Sequence, residues 1–169
     1  MTPHKSWTPE TDGDVSYVPL TQGKYAIIDT ADLDLVVGYK WHACRIGNTW
    51  YARNGGGYHP TKLMHRVIMG LSPGDPTVDH EDHNGLNNCR SNLREATHAQ
   101  NMLNCASQGG TSRYKGVCWI KDKRRWRARV TLDGVHHYLG YYSDEVEAAR
   151  AYDAGARELH GSFAWVNFP

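Results

Sequence analysis

Between Trp126 and Leu132 the chain alternates without a break. Trp126, Ala128, Val130 and Leu132 are apolar, and Arg127, Arg129 and Thr131 between them are cationic or polar. A period of two is the pattern of a β-strand that rests one face on a core and turns the other to solvent. Residues 114–120 and 136–142 are further short runs rich in aromatic and β-branched side chains, set off by Lys121-Asp122-Lys123 and Asp133-Gly134. Together the runs predict a three-stranded antiparallel sheet with one apolar and one cationic face. The apolar face needs a cover, and residues 143–161 supply it. Ser143 or Asp144 caps a helix in which Val146, Ala149, Ala151, Tyr152, Ala156 and Leu159 offer small and aromatic surface before His160-Gly161 ends it.

Charge is divided unevenly along the chain. Residues 1–106 hold 9 Lys and Arg against 11 Asp and Glu, whereas residues 107–169 hold 10 against 7. Within 107–141 eight cations face two anions, a surplus that fits a phosphate-bearing partner. From Ser112 to Pro169 the chain resembles the plant ethylene-response-factor (AP-two) DNA-binding domain. The resemblance lies in YKGV at 114–117, Trp126-Arg127-Ala128, YLGYYSDEVEAARAYD at 138–153 and the closing Asn167-Phe168-Pro169. It implies that the sheet, not the helix, enters the major groove of double-stranded DNA. Carried over by position, the contact face includes Lys115, Arg129, Thr131, His136 and Tyr138, with Arg127 close by. Cys118 stands where that family usually has Arg, and Thr131 and His136 replace stronger cations, so the plant target sequence does not transfer. Trp119, Trp126 and Trp165 are expected to be packing residues.

Upstream, residues 78–104 read VDHEDHNGLNNCRSNLREATHAQNMLN. Cutting a phosphodiester takes a hard cation to neutralise the phosphate, a base to deprotonate water and a group that orients the base. Asp79 offers carboxylate oxygen, and His80 has an unperturbed pKa of roughly 6.5, suited to a general base near neutral pH. The pair is expected on a strand, followed by a turn at Asn84-Gly85 and a polar loop over 87–91. Ser91 or Asn92 is then expected to cap a helix over 93–103. Asn101 falls nine residues beyond Asn92, about two and a half turns on, and is expected to return beside Asp79. Asn92 is expected to accept the His80 ring N–H and fix its tautomer.

These residues are similar to the HNH endonucleases, in the form seen in the homing-endonuclease branch typical of phages and mobile introns. The resemblance implies a ββα-metal (His-Me finger) module in which Asp79 and Asn101 hold a single divalent ion, His80 is the general base and Asn92 orients it. Many HNH enzymes have His where this chain has Asn101, a harder ligand that favours Mg²⁺ or Mn²⁺. His98 is the alternative ligand, three residues earlier.

The segments PLTQGKYAIID, YKW and MHRVIMG resemble the lead-in of phage HNH proteins. Residues 17–29 and 48–53 have strand character, Gly55-Gly56-Gly57 is expected to form a loop, and a short helix is expected near 63–69. His65 and Arg66 are either phosphate contacts near the ion or supports at the start of that helix. Residues 104–112, with Gly109-Gly110 at their centre, predict a flexible connection. The chain is thus expected to be α+β: a flexible lead at 1–14, a nuclease domain at 15–106, a linker at 107–112 and a DNA-binding domain at 113–169.

No apolar run approaches the roughly 18 residues that span a bilayer, and the first residues lack an apolar leader core. A cytoplasmic protein without membrane contact is expected, encoded by a phage or mobile element. The four cysteines show no C-x-x-C pair, which disfavours a zinc ribbon or a disulfide framework. It also disfavours a structural metal site built from His80, His83 and His98. The expected function is a sequence-directed, homing-type HNH endonuclease that hydrolyses double-stranded DNA. With one such site per chain a nick is the default; monomer and DNA-assembled dimer both stay open. The alternative is a non-catalytic, sequence-specific DNA-binding regulator.

Overall fold

Residues 8–56, 59–104 and 110–169 are described by the computed structural model. They form a mixed α+β chain of small antiparallel sheets and few helices. Contacts divide it into two compact units, 1–96 and 97–169. The expected linker at 107–112 lies later in sequence than this division, and its residues 107–109 fall outside the described residues.

The first unit begins with β1 (Glu10–Asp12), β2 (Val15–Pro19) and β3 (Tyr25–Asp29), a three-stranded meander. The short helix α1 (Leu33–Val36) follows, then β4 (His42–Ile46), β5 (Thr49–Gly56) and β6 (His59–Leu63), which form a second meander. Gly55 and Gly56, expected in a loop, are the last residues of β5, where the register to β6 shifts between Asn54 and Gly56. Helix α2 (Met64–Ile68) leads to the hairpin of β7 (Thr77–His80) and β8 (Leu93–Ala96). One core joins these pieces: Ile28 of β3, Val36 of α1, Trp41, Ala52 of β5, Met64 and Ile68 of α2, with Val78 and Leu93 of the hairpin. Trp41 is buried with its indole N–H donating to the Val36 carbonyl at 2.9 Å, so its polar atom is satisfied inside apolar packing.

The hairpin corrects one expectation. Residues 93–96 form a strand, not the first turn of a helix, pairing Thr77 with Ala96, Asp79 with Arg94 and His80 with Leu93. Leu93 and Ala96 have helical spacing, but the partner strand takes their backbone groups and their burial against the core outweighs propensity. The helix starts later, as α3 (His98–Leu103), capped by Thr97 rather than Ser91 or Asn92. Thr97 accepts from the Gln100 backbone N–H, and the Gln100 side chain accepts from the Thr97 N–H, a reciprocal capping box.

In the second unit, β9 (Val117–Ile120), β10 (Arg125–Leu132) and β11 (Val135–Tyr142) form the antiparallel sheet in the order β11-β10-β9. Helix α4 (Glu145–His160) covers it, with the Asp144 carboxylate accepting from the Val146 and Glu147 N–H groups. Ala128 and Val130 are fully buried against Ala148, Ala149, Tyr152 and Ala156 of α4, so the alternation places its apolar side inward as expected. The buried Asp153 carboxylate accepts from the Asn167 and Phe168 N–H groups and ties the chain end to the helix. Gly116 holds φ +73, and a Cβ there would overlap the Tyr152 ring and the Arg129 carbonyl. Replacing Gly116 with Ala combines backbone strain with overpacking, and is expected to cost about 2–3 kcal/mol in denaturant unfolding.

Candidate functional site

Strand β7 ends on Asp79 and His80, both almost fully buried at 4% and 5% exposure. Neighbouring residues on a strand point to opposite faces, so the carboxylate and the imidazole serve different surroundings. Asp79 faces its cross-strand partner Arg94, whose Nε and Nη2 both donate to Asp79 Oδ2, at 2.8 and 2.6 Å. Burial of the carboxylate is compensated by this charge-assisted fork. Glu81 Oε1 lies 3.8 Å from Arg94 Nη1 and adds a weaker, exposed charge.

His80 sits in an aromatic pocket. Its ring is 5.0 Å from His65 and 5.7 Å from Tyr51, both near-perpendicular, while Nε2 lies 3.4 Å from Asn88 Oδ1. Burial lowers the His80 pKa, and the Asn88 hydrogen bond with Asp82 and Asp79 only partly opposes it. His65, on α2, is pushed further down, to about 3, first by burial and then by its neighbours His80 and Arg66. Both rings are therefore neutral near pH 7, the state a general base requires.

The loop between β7 and β8 is held by its own polar side chains. Asn92 Oδ1 accepts from the Asp82 N–H at 2.9 Å, and Asn92 Nδ2 donates to Asp82 Oδ1 and the Asn87 carbonyl at 2.9 and 2.8 Å. Asn92 therefore braces the two arms of the loop, and its amide is not the group on the His80 ring. Asp82 also accepts from the Asn84 N–H and the Asn87 side chain. Desolvation alone would raise the Asp82 carboxyl, but the donors of Asn87, Asn84 and Asn92 outweigh it and hold it below the ordinary carboxylate value. Gly85 packs so closely on β5 that a Cβ would strike the Trp50 carbonyl and the Tyr51 ring. Arg90 anchors the far end through a forked pair to Asp32 and a bond to the Ile68 carbonyl.

Arg66 is occupied: Nη1 donates to the Pro76 carbonyl at 2.9 Å and Nη2 to that of Ser72. It supports the turn before β7. Asn101 lies in α3 of the second unit and is half-buried, whereas His98 begins that helix and is exposed. Among the described residues no three His, Cys, Asp or Glu side chains cluster as metal ligands. An Asp with an Asn amide is a different donor set, hard oxygen alone, and suits an ion that keeps most of its water. Cys44, Cys89 and Cys118 are free thiols; Cys105 lies outside the described residues.

The solvent face of the C-terminal sheet carries Arg127, Arg129 and Thr131 of β10 in register with Tyr141, Tyr138 and His136 of β11. Arg127 lies over the Tyr138 ring at 5.5 Å and donates to Cys118 Sγ at 3.3 Å, and Thr131 Oγ1 meets His136 Nδ1 at 3.0 Å. Tyr138 is 62% exposed, and Lys123 covers Tyr141 at 3.9 Å. Lys115 precedes the sheet; its Nζ donates to the Leu103 carbonyl at 2.6 Å and sits near the Trp165 ring. Trp119 and Trp126 pack edge to face at 5.1 Å.

The sequence singled out Asp79, His80 and Asn92, and the structure sets Tyr51, Asp82, Asn88 and Arg94 against them, none of which the sequence had marked as candidates. Asn88 was visible only as one of two adjacent asparagines in a polar run, and nothing local separates a loop-facing amide from a buried one.

The chain is 36% identical over 152 residues to an uncharacterized HNH endonuclease of Acanthamoeba polyphaga mimivirus, spanning 86% of this chain and 76% of the relative. It is 38% identical over 88 residues to protein 3.8 of Escherichia phage T7, spanning 52% of this chain and 72% of that protein. An AP2-like ethylene-responsive transcription factor of Arabidopsis thaliana is 42% identical over 59 residues, 35% of this chain and 13% of the plant protein. No family model matches the chain.

Replacing Asn92 with Ala strands the Asp82 N–H and the Asn87 carbonyl, and is expected to lower unfolding stability by about 2 kcal/mol in urea. The depressed Asp82 carboxyl stabilises the fold above its unfolded pKa of roughly 4 and loses that contribution as pH falls through its lower folded value. Acid titration of wild type and Asp82→Asn should converge at low pH.

Proposed function

This chain belongs to the HNH endonuclease family, and from that premise we propose that it is a sequence-directed DNA endonuclease. The C-terminal sheet docks on duplex DNA, and the centre at the end of β7 hydrolyses one phosphodiester per binding event, leaving a nick with 5′-phosphate and 3′-hydroxyl ends. The observation that carries the proposal is His80. It is a neutral, buried imidazole at a strand end, adjacent in sequence to a buried carboxylate. The chain order β7, β8, α3 supports reading residues 78–104 as a ββα-metal module.

His80 accepts the proton of the attacking water. Its burial suits this task, because desolvation keeps the ring uncharged and ready to take a proton. Asp79 and Asn101 would hold a Mg²⁺ or Mn²⁺ ion, their oxygens matching the ligand preference of a hard cation. Bound there, such an ion supplies positive charge against the phosphate and the leaving 3′ oxygen. Arg94 supports Asp79 from the opposite strand and fixes the direction of its carboxylate. Asn92 keeps the loop closed around the base. His65 is the better candidate for a phosphate contact than Arg66. Its ring nitrogens have no hydrogen-bond partner among the described residues, while the Arg66 guanidinium is committed to two carbonyls.

On the sheet, Arg129, Arg127, Thr131, His136 and Tyr138 supply the duplex contacts, with Lys115 at the margin through its link to α3. Connecting reader and cutter in one chain raises the effective concentration of DNA at the nuclease, which then needs little affinity of its own.

Supercoiled plasmid incubated with Mg²⁺ or Mn²⁺ is expected to be nicked, and chelation should stop the reaction. His80→Ala should lower the cleavage rate about 10²- to 10⁴-fold while DNA binding persists. DNA binding by the wild-type chain with no cleavage under either ion would instead favour the non-catalytic regulator. Arg129→Ala should weaken binding and reduce its salt dependence by about one phosphate contact, with little effect on chemistry once DNA is saturating.

A further inference from the structure

The general base needs a fixed tautomer, and residue 92 does not provide it. Asn88 is completely buried, and three of its groups are engaged. Its backbone N–H donates to the Ile27 carbonyl of β3 at 2.7 Å, its Nδ2 donates to the Leu86 carbonyl at 3.0 Å, and its Oδ1 faces His80 Nε2 at 3.4 Å. Amide orientation is decided by chemistry here. Turning the Asn88 side chain over would press Oδ1 against the Leu86 carbonyl, two acceptors with no proton between them. With Nδ2 committed to Leu86, the atom facing the imidazole is an acceptor, so His80 Nε2 must carry the hydrogen. A neutral imidazole has one N–H, and Nδ1 therefore holds the basic lone pair.

We infer that Asn88 is the positioning residue of the nuclease centre, setting the His80 tautomer and ring orientation so that Nδ1 is the atom that takes the proton from water. The inference rests on the reading of His80 as general base. Asn88 touches neither substrate nor ion; it acts through the imidazole.

The placement of Asn88 also assigns a role to the N-terminal meander. Ile27 bridges Asn87 in parallel fashion, and the Ile27 N–H donates to the Leu86 carbonyl at 2.8 Å while its own carbonyl takes the Asn88 N–H. Strand β3 thus grips residues 86–88 on both sides of Ile27. This polar loop is held beside His80 because a strand from 60 residues earlier supplies its missing backbone partners. The aromatic walls from Tyr51 and His65 restrict the ring on its other sides.

The test uses the full chain labelled with ¹⁵N, and two variants. Long-range ¹H–¹⁵N correlation of the His80 ring at about pH 7.5, where an ordinary imidazole is already mostly neutral, reports which nitrogen carries the proton. Wild type should show protonated Nε2 and bare Nδ1. Asn88→Asp keeps an acceptor towards Nε2 but loses the donor to Leu86, so it should keep that tautomer and most of its cleavage rate. Asn88→Leu removes the acceptor, and should give a mixed or reversed tautomer and a kcat lowered about 10- to 100-fold with KM little changed. A wild-type His80 protonated on Nδ1 would overturn the inference. So would Asn88→Asp losing tautomer and activity together, since the role would then lie in the Leu86 bond. Should Asn88→Leu fail to fold, wild type and Asn88→Asp still decide the matter. A chain that shows the expected tautomer yet cleaves no DNA would refute the nuclease reading and leave the placement of Asn88 standing.

Discussion

Satisfying the backbone of the loop between β7 and β8 is the constraint on which the candidate centre depends. Twelve residues connect the two strands, and they are polar almost throughout, so apart from Leu86, which packs on the core, little hydrophobic packing orders them. Order comes from asparagine and aspartate side chains that stand in for missing strand partners. Asn92 closes the loop across Asp82 and Asn87, Asn88 and Leu86 pair with β3, and Arg90 is clamped by Asp32. A buried imidazole can keep one orientation only if its surroundings are as rigid as this. The Asn-rich composition is therefore a structural requirement of ordering this loop beside His80.

The legible parts of the sequence were those in which local pattern and tertiary demand coincide. The alternation at 126–132 gave a strand with the correct inner face, because Ala128 and Val130 have no other place to bury their surface. Asp144 and Gly161 bracket the last helix as cap chemistry requires. The failure at 93–103 is equally physical. Leu93 and Ala96, three residues apart, have helical spacing, and only pairing with 77–80, which no local window contains, selects the strand. The true start was nevertheless written in Thr97 and Gln100, a capping pair three residues apart. At the site, Asp79 and His80 were legible as a chemical pair, whereas Asn88 owes its role to Ile27, a partner distant in sequence.

The exposed sheet face shows how composition can mislead about strength while remaining right about place. Its residues lie where the alternation puts them, but the guanidinium of Arg127 and the ammonium of Lys123 already rest over tyrosine rings. Cations stacked in this way are pre-ordered, so less side-chain entropy remains to be lost when a phosphate arrives. Lys115 is a different case. Its ammonium donates to the Leu103 carbonyl at the end of α3, where a cation also complements the helix dipole. It contributes to the fold of the second unit before any DNA is present.

The Asp79–Arg94 pair makes the electrostatics of the centre consistent. A carboxylate taken out of water without a partner carries a large desolvation cost. Arg94 compensates the burial of Asp79 and aims its carboxylate, with both guanidinium bonds on a single oxygen, Oδ2. Cross-strand pairing makes this arrangement independent of the loop, since Asp79 and Arg94 face each other in the ladder itself. His80 and Asp79 share the hairpin ladder, but their side chains meet different partners: Asn88 of the loop faces the imidazole, and Arg94 of β8 faces the carboxylate. The two-strand ladder aims the carboxylate, while the loop brings the Asn88 amide to the imidazole.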